Sequence, residues 1–251
     1  ITMIGQNKEY KKYIINKTHK NIKNDFIYKE NSSTIVKRRF LDYSNNKKII
    51  GVYDINDEQL SKKNKLQFAK KLKTNLPKSD MVIIADYGHG LISNDTAKMI
   101  VNNANFLAVN AQINAANIGH HSLDKYKNID CLIVNESELR HEMKDKESKL
   151  NNLITKLAKR NKIKIIVVTQ GSIGVTLYNL SKRKFYYCPA FASNIVDIVG
   201  AGDAMLAIIS LCIKEKIDSN LALYLGSLAA AQSAEAIGNK LKLDGTISIN
   251  S

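Results

Sequence analysis

The stretch Asn194-Ile-Val-Asp-Ile-Val-Gly-Ala-Gly-Asp-Ala-Met-Leu206 decides how the rest of the chain is interpreted. In it, Gly200-Ala-Gly202 is followed by Asp203, and an apolar run then continues over 204–213. We interpret the stretch as a loop that turns into the N-terminus of a buried helix, because glycines permit sharp turns and close approach to their N–H groups. The first N–H groups of a helix lack partners, and its dipole adds positive potential, so this position suits an anion. A carboxylate beside such a position is the arrangement that phosphoryl transfer needs.

The length and composition of the chain fit one large α/β domain, alone or with a small appendage. The 251 residues are 44% hydrophobic, which supports a substantial core. The formal net charge is +15, but the lysines are scattered among asparagines and isoleucines, and no block carries the excess. Because the charge is scattered, nucleic acid is the less favoured partner, although a diffuse basic surface still attracts phosphorylated metabolites.

The three cysteines and the absence of long apolar runs indicate the cellular compartment. Cys131, Cys188 and Cys212 lie in apolar surroundings without a paired spacing, so we expect buried thiols of a reducing compartment and neither disulfides nor a metal site. No segment resembles a signal peptide, and the longest apolar run is too short to span a bilayer. These features predict a cytoplasmic protein without a membrane partner. The chain begins at Ile1 without an initiator methionine, and we expect an upstream portion to be missing.

Strands and helices are predicted to alternate along most of the chain. Apolar runs predict strands at 1–5, 81–85, 106–109, 131–134, 163–169, 175–178 and 184–187. Helical patterns predict helices at 7–17, from an Asp57 cap to Leu76, and at 94–103, 136–144, 148–160 and 218–236, besides the one that follows Gly202. This alternation indicates an α/β fold, with a mostly parallel sheet that has helices on both faces.

One pair of extended runs differs from the other predicted strands. The runs 34–41 and 48–54 flank an asparagine-rich turn, which predicts a β-hairpin. They are basic for core strands, so we expect the hairpin at the edge of the main sheet, as a small β lid over 33–55.

Polar residues collect where the predicted strands end. These ends carry Asp86-Tyr-Gly-His-Gly90, Asn110-Ala-Gln112, Asn135-Glu-Ser-Glu138 and Thr169-Gln-Gly-Ser-Ile-Gly174. In sheets of this kind, ligands bind beyond the carboxyl ends of the strands. One polar strand end is expected by chance, since helix caps also favour Asp, Asn and Thr. Four such ends together with the 197–203 loop predict a ligand site.

Three motifs, in this order along the chain, resemble those of the ribokinase-like (PfkB) carbohydrate kinases. Asn135-x-x-Glu138 resembles their metal and phosphate motif, and Thr169-x-Gly171-x-x-Gly174 resembles their nucleotide-binding turn. Asp197-Ile-Val-Gly-Ala-Gly-Asp203 resembles their C-terminal signature. The resemblance covers nearly the whole chain. Asp86-Tyr-Gly-His-Gly90 looks most like the branch that phosphorylates heptose phosphates for ADP-heptose synthesis.

The resemblance implies roles for the residues around the helix start. Asp203 is expected to be the base that takes the proton of a sugar hydroxyl as this attacks the γ-phosphate of ATP. Gly200, Ala201 and Gly202 are expected to offer N–H groups to the charge that develops on the transferred phosphoryl group. Asp197 is expected to help bind a monovalent cation such as K⁺, which only some members of the family use.

The resemblance also implies where ATP and Mg²⁺ bind. Thr169 and Gly171 are expected to lie against the ATP phosphates, while Gly174 allows the tight turn. Asn135 and Glu138 stand three residues apart at a helix start, and they are expected to hold Mg²⁺ largely through water.

The sugar site is implied by the same resemblance. The hairpin resembles a sugar-covering lid, which often also forms the contact of a homodimer. On it, Lys37, Arg38 and Arg39 are expected to meet a phosphate of the substrate. Asp86 and Asn110 are the expected sugar-binding residues at the strand ends.

Each motif also has a structural interpretation. Asp203 could serve only to complement the helix dipole, and Glu138 could be a capping residue paired with Asn135. The segment 169–174 could be an ordinary hairpin turn, and the basic residues 37–39 a solvated strand edge.

Three histidines have no assigned role, and His89 and two segments depart from the pattern of the family. His120, His121 and His141 have no ligand spacing and are expected at the surface. His89 stands where the heptose-kinase-like loop usually carries Lys, and Ala229-Ala-Ala231 occupies a stretch where the family often has an Asn near the adenine. The family's first strands, which grip the sugar, have no counterpart in the chain.

Other nucleotide-binding classes fit the sequence less well. No P-loop pattern occurs, and Gly200-x-Gly202 is followed by Met205 where a dinucleotide fingerprint requires Gly or Ala. Two alternatives to a kinase remain: a catalytically silent nucleotide- or sugar-phosphate-binding domain of a larger bifunctional protein, and a basic nucleic-acid-binding module.

Overall fold

A computed structural model describes residues 1–43, 48–113, 121–192, 196–197 and 199–235. The chain divides into two compact units. The first comprises Ile1–Lys78 and Gly88–Ile100, and the second comprises Ser79–Tyr87 and the chain from Val101 onward.

The first unit contains two small sheets and two complete helices. Its elements are β1 (Thr2–Gly5), α1 (Lys11–Lys17), β2 (Phe26–Lys29), β3 (Val36–Leu41), β4 (Lys48–Asp54), α2 (Lys62–Asn75) and the first turns of α3 (Asn94–Asn103). β1 and β2 pair in parallel, and β3 and β4 form an antiparallel hairpin. The hairpin is a sheet of its own, so its predicted position at the edge of the main sheet is wrong. A separate hairpin fits the predicted lid.

Two further details of the first unit differ from the sequence prediction. The N-cap of α2 is Ser61, whose side chain accepts from the N–H of Asn64, and not Asp57. Asp57 instead lies beside His89, with 2.6 Å between Oδ1 and Nδ1. β2 was not predicted, because its four residues lie inside a polar stretch rich in lysine and asparagine.

The hairpin has one basic face and one apolar face. Its cross-strand pairs are Lys37 with Tyr53, Arg38 with Val52, Arg39 with Gly51 and Phe40 with Ile50. Paired residues share a face of the sheet, and successive residues alternate between faces. Lys37 and Arg39 therefore lie on one face, while Arg38 lies on the other, beside the exposed apolar side chains of Phe40 and Val52. The alternation separates Arg38 from the other two basic residues.

The second unit is built on a six-stranded sheet. Its strands are β5 (Val82–Asp86), β6 (Leu107–Ala111), β7 (Cys131–Asn135), β8 (Ile165–Thr169), β9 (Val175–Asn179) and β10 (Lys184–Cys188), in the spatial order β10-β9-β8-β7-β6-β5. β5 to β8 are parallel, while β9 and β10 are antiparallel to their neighbours. The predicted α/β fold with a mostly parallel sheet is confirmed.

Helices cover both faces of this sheet. They are α4 (Glu136–Met143), α5 (Leu150–Asn161), α6 (Ala201–Lys214) and α7 (Ser219–Ala234). Four successive residues of β7, from Cys131 to Val134, are buried, which requires cover on both faces. Cys131 and Ile133 belong to a core with Met205, Leu206 and Ile209 of α6. The opposite face is covered where α4 and α5 contact β7 and β8.

The position of α6 depends on close packing against α7. A Cβ atom added at Gly226 would lie 2.4 Å from Cγ1 of the fully buried Ile209. The missing side chain therefore lets the two helices approach, and α6 in turn contacts β5, β6 and β7. This packing sets the N-terminus of α6 against the sheet.

The three cysteines lie in the interior of the protein. Cys131, Cys188 and Cys212 are free and buried, as predicted. Burial raises the pKa of the Cys131 thiol well above its ordinary value, so this thiol is poorly reactive. Within the described part of the chain, no helix has the length and apolar character needed to cross a membrane.

Candidate active site

The polar strand ends of the second unit lie along one edge of the sheet. Asn135 is the register partner of Thr169, and Asn110 is the partner of Ala85, one residue before Asp86. The side chain of Asn110 donates from Nδ2 to the carbonyl of Ile133 at 2.8 Å, which ties the ends of β6 and β7 together. Because β5 to β8 are parallel, all four polar ends occur at their carboxyl edge. The sequence predicted this convergence.

The N-terminus of α6 borders open space at the same part of the unit. Gly200 is the N-cap, with a left-handed φ of 93° and no side-chain hydrogen bond to the helix start. A Cβ atom added at Gly202 would meet nothing within 4 Å. N–H groups without a side-chain cap beside open space are what a bound phosphate requires. The helix start therefore fits the phosphate of a nucleotide.

Asp203 lies in the first turn of α6, where its exposed carboxylate contacts the end of β5. The hydroxyl of Tyr87 donates to both carboxylate oxygens, with distances of 3.2 Å to Oδ1 and 3.1 Å to Oδ2. Burial and the negative charge of Asp203 raise the pKa of Tyr87 to about 12. Sequence reasoning did not single out Tyr87. The available signal was its place directly after a predicted strand, next to Asp86.

Asp86 lies at the centre of a buried polar cluster. Its carboxylate is 2.6 Å from Nζ of Lys125 and accepts from the hydroxyl of Tyr126 at 2.6 Å. Nε2 of His121 lies 3.9 Å away. Burial alone would raise the pKa of Asp86, but the charges of Lys125 and His121, with hydrogen bonds from Lys125 and Tyr126, hold it below its ordinary value.

The Asp86 cluster bears on the predicted positions of the histidines and on the predicted sugar contact of Asp86. His121 is buried, so its predicted place at the surface is wrong, whereas His141 is exposed as expected. His120 lies outside the described residues. Asp86 is only 5% exposed, and its contacts support the end of β5. Direct contact of Asp86 with a sugar stays a prediction.

Asn135 and Glu138 form a capping box at the start of α4. The Asn135 side chain accepts from the N–H of Glu138, and the Glu138 carboxylate accepts from the N–H of Asn135, both at 2.8 Å. Glu138 and Asn135 therefore do cap α4, as the structural interpretation of this motif predicts. Burial raises the pKa of Glu138 to about 7, against the opposing effect of hydrogen bonds from the N–H groups of Asn135 and Ile113. The Asn135 residue is exposed at the end of β7, whereas Glu138 is only 4% exposed.

We expect Glu138→Gln to flatten the dependence of stability on pH. The folded pKa of about 7 exceeds the ordinary 4.5, so the native state binds more protons than the unfolded state between these values. The free energy of unfolding of the wild type should therefore fall as pH rises from about 4.5 to 7, by roughly 2–3 kcal/mol. Gln keeps an acceptor for the N–H of Asn135 without titrating.

Urea unfolding of both proteins at a series of pH values measures this difference. Parallel pH profiles for the wild type and Glu138→Gln would contradict the shifted pKa.

The turn between β8 and β9 has an open glycine and a crowded one. Gly171 has a φ of 58°, and a Cβ atom added there would meet nothing within 4 Å. Gly174 has a φ of 122°, and its added Cβ would lie 2.2 Å from the carbonyl oxygen of Cys188. The segment is indeed a hairpin connection, since Thr169 pairs with Val175. The open space at Gly171 leaves room for a ligand against this turn.

Asp197 lies in the loop before α6. Its carboxylate accepts from the N–H of Val199 at 3.0 Å, and its own N–H donates to the carbonyl of Ala234 at the end of α7. In the part of the chain that the structure describes, no group of three or more His, Cys, Asp or Glu residues could hold a metal ion.

The first unit has its own charged cluster beside the basic face of the hairpin. Burial, together with the charge of Arg39, lowers the pKa of Lys37, while Tyr53 and Asp57 act in the opposite direction. Asp57 also contacts His89. Lys29 donates from Nζ to the carbonyls of Asn56 and Glu58, at 2.7 and 2.6 Å, which holds the segment that carries Asp57.

The six-stranded, mostly parallel sheet with helices on both faces is the ribokinase-like fold. Phosphofructokinase-2 from Escherichia coli, solved in complex with potassium, aligns with a TM-score of 0.75 over 96% of this chain and 77% of that one, at 13% identity. Ribokinase from Thermotoga maritima aligns with a TM-score of 0.72 over 95% of this chain and 75% of that one, at 20% identity. At these identities the likeness establishes the fold.

Residues 1–244 match the pfkB family carbohydrate kinases, and the chain belongs to this family. The Bifunctional protein HldE of Campylobacter curvus (strain 525.92) is 28% identical over 176 residues, which are 69% of this chain and 36% of that protein. The HldE of Campylobacter jejuni (strain RM1221) is 23% identical over 222 residues, which are 87% of this chain and 46% of that protein. The chain therefore spans less than half the length of these relatives. Membership implies a sugar substrate, ATP and a divalent metal ion.

Proposed function

We propose that the chain transfers the γ-phosphoryl group of ATP to a hydroxyl of a sugar phosphate, with a heptose phosphate as the acceptor. The observation that carries this proposal is the meeting of the Asp203 carboxylate, the uncapped start of α6 and the polar strand ends in one unit. A base beside a phosphate-binding helix start suffices for phosphoryl transfer, which depends mainly on positioning and electrostatic stabilisation.

In this proposal Asp203 is the base, and Gly200, Ala201 and Gly202 form the anion hole. Asp203 accepts the proton of the acceptor hydroxyl as the oxygen attacks phosphorus. The N–H groups at the start of α6 stabilise the charge that develops on the transferred group. Thr169 and Gly171 lie against the nucleotide phosphates, and Gly174 keeps their turn close to β10.

The cofactor roles follow the same positions. Bound ATP supplies the phosphoryl group, and Mg²⁺ neutralises charge on its phosphates. Asn135 and Glu138 would hold Mg²⁺ through water, since their first hydrogen bonds maintain the capping box. Asp197 would contribute to a K⁺ site with backbone carbonyls of its loop. ATP as donor and three free thiols both fit a reducing compartment, so we infer a cytoplasmic location.

The acceptor is inferred to carry a phosphate because of the basic hairpin face. Lys37 and Arg39 share this face. Two cations two positions apart on one strand face match a phosphate better than a neutral sugar hydroxyl. The resemblance of residues 86–90 to heptose-phosphate kinases and the likeness to HldE both support a heptose phosphate. Asn110 and Asp86 remain the proposed contacts at the strand ends.

The first test compares a heptose phosphate with the same heptose lacking the phosphate. ADP release that depends on the phosphorylated sugar is the expected result, and equal rates with both sugars would contradict the role of Lys37 and Arg39. No ADP release with either sugar, but micromolar binding of ATP, would favour the alternative function: a catalytically silent nucleotide-binding domain of a larger bifunctional protein. Tight, salt-sensitive binding to a random DNA duplex without ATP affinity would favour a nucleic-acid module.

We expect Gly202→Ala to lower activity without lowering stability. The added Cβ meets nothing within 4 Å in the protein, and alanine favours a helix over glycine by roughly 0.5–1 kcal/mol. In the proposed complex this Cβ would enter the space of the transferred phosphoryl group, so kcat should fall about tenfold.

Urea unfolding and steady-state kinetics together check this prediction. Gly226→Ala is the matched control, because its added Cβ would lie 2.4 Å from Ile209. It should lose about 1–3 kcal/mol of stability through overpacking. Unchanged kinetics in Gly202→Ala would contradict the anion hole.

We also infer a homodimer through the hairpin. Phe40, Ile50 and Val52 expose 52%, 54% and 47% of their surface on one hairpin face. A contiguous apolar face of this kind is typical of an interface. Ile50→Lys should convert a dimer to a monomer in sedimentation experiments, while Tyr53→Lys on the other face should not. A monomeric wild type would contradict the inference.

A further inference from the structure

We propose that Tyr87 is a positioning residue for the base: its hydroxyl holds the Asp203 carboxylate in the orientation that receives the proton of the acceptor. The inference rests on the proposed function. It concerns a residue of the stretch 86–90 to which the sequence analysis assigned no role. The observation is the shared hydrogen bond from one phenol to both oxygens of one carboxylate.

The geometry of this bond restrains rotation of the carboxylate. The Tyr87 hydroxyl is 3.2 Å from Oδ1 and 3.1 Å from Oδ2, so it lies almost equally far from the two oxygens. Rotation of the carboxylate about its Cβ–Cγ bond would lengthen at least one of these distances. Asp203 is exposed in the first turn of α6. A carboxylate can accept about four hydrogen bonds, so the shared bond leaves positions for an acceptor hydroxyl.

The protonation state of Tyr87 suits this role. With a pKa raised to about 12 by burial and by Asp203, its hydroxyl stays protonated at neutral pH. It therefore donates to the carboxylate throughout a reaction cycle and does not compete as a base.

The end of β5 holds Tyr87 on a rigid support. The preceding residue, Asp86, is buried and bound by Lys125 and Tyr126. Successive side chains of a strand point to opposite faces, so the anchoring of Asp86 on one face directs Tyr87 to the other. Tyr87 directly follows β5, and α6 contacts β5, so the phenol and the carboxylate are attached next to and on two packed elements. Catalytic groups held by such elements keep their geometry better than groups held by loops.

Removal of the hydroxyl should slow the chemical step and leave substrate binding unchanged. We expect Tyr87→Phe to lower kcat about tenfold, with KM for ATP and for a heptose phosphate within about twofold, because loss of orientation acts on the transition state more than on binding. Phe keeps the ring and its packing. The thermal midpoint of unfolding should therefore change little.

Three comparisons separate this role from a structural one. Tyr187→Phe is the matched control, because Tyr187 is exposed on β10 and its hydroxyl accepts one hydrogen bond from Asn151 of α5. Its kinetics should equal those of the wild type. The rate should respond to Tyr87→Phe in the presence of Asp203 but not in an Asp203→Ala background, because a residue that acts through Asp203 has no effect without it. Tyr87→Leu should lose both rate and stability.

The outcomes distinguish this inference from the function on which it rests. If the wild type is active and Asp203→Ala is not, unchanged kcat in Tyr87→Phe overturns the positioning role alone. A lower KM or a higher kcat in Tyr87→Phe would mean that the hydroxyl obstructs the acceptor. Either result also overturns the positioning role. If Tyr87→Phe lowers kcat by the same factor in the wild-type and the Asp203→Ala backgrounds, the positioning role is overturned as well. Absence of any turnover by the wild type with a heptose phosphate, fructose 6-phosphate or ribose removes both proposals together.

Discussion

Asp203→Asn is expected to lower kcat for sugar-dependent ADP release by about 10²–10⁴-fold, which is the usual contribution of a general base. Asn has nearly the same shape and still accepts a hydrogen bond from Tyr87, but it cannot take up a proton at neutral pH. The N–H groups at the start of α6 are retained, so the affinity for ATP should stay within about threefold. Steady-state kinetics and ATP titration by calorimetry measure the two quantities.

A second aspartate at a helix start provides the control for this substitution. Asp218 caps α7 by accepting from the N–H groups of Asn220 and Leu221. Asn caps a helix as well as Asp does, so Asp218→Asn should preserve both rate and stability. If Asp203→Asn behaves like Asp218→Asn, then Asp203 only complements the dipole of α6, an effect of about 0.3–1 kcal/mol on stability.

Asp86→Ala is expected to cost about 3–5 kcal/mol of unfolding free energy. The Lys125 side chain is only 10% exposed, and the substitution removes the carboxylate 2.6 Å from its ammonium group. A buried charge that loses its counterion retains its desolvation cost, which explains the size of the effect. Because the pKa of Asp86 is lowered, its contribution is complete above its ordinary pKa and is lost as pH falls through the lowered value.

The matched control is an ion pair with the same separation on the surface. Nζ of Lys164 lies 2.6 Å from Asp130, but the Lys164 side chain is 67% exposed, so Lys164→Met should cost less than about 1 kcal/mol. The double variant Asp86→Leu with Lys125→Met should recover much of the loss, since it removes both charges. Urea unfolding at pH 7 measures all three. Similar losses for Asp86→Ala and Lys164→Met would contradict the importance of burial.

The sequence predicted the fold of the second unit because its strands have unmistakable patterns. The run from Cys131 to Val134 is apolar without interruption, which indicates a strand covered on both faces, and the structure has β7 there. The first unit was harder to predict. β2 has four residues in a polar stretch, and the hairpin's separation from the main sheet depends on tertiary packing that hydrophobic periodicity does not encode.

The candidate site was predictable where glycines and polar residues follow strands. Asn135, Thr169 and the Gly200–Asp203 loop could be grouped because parallel strands end at one edge. The contact between Tyr87 and Asp203 joins residues 116 positions apart, and no local pattern indicates it. For the same reason the cluster of Lys125 and His121 around Asp86 was missed, since no local pattern links residues that far apart in the sequence.

The burial of all three native thiols makes the protein suitable for site-specific labelling. Because Cys131, Cys188 and Cys212 are buried, a single cysteine introduced at an exposed position such as Tyr43 would react with a maleimide dye before any of them. A fluorophore attached there could report motions of the hairpin during turnover without removal of a native cysteine. Slow reaction of the native thiols would then record how often the second unit opens in solution.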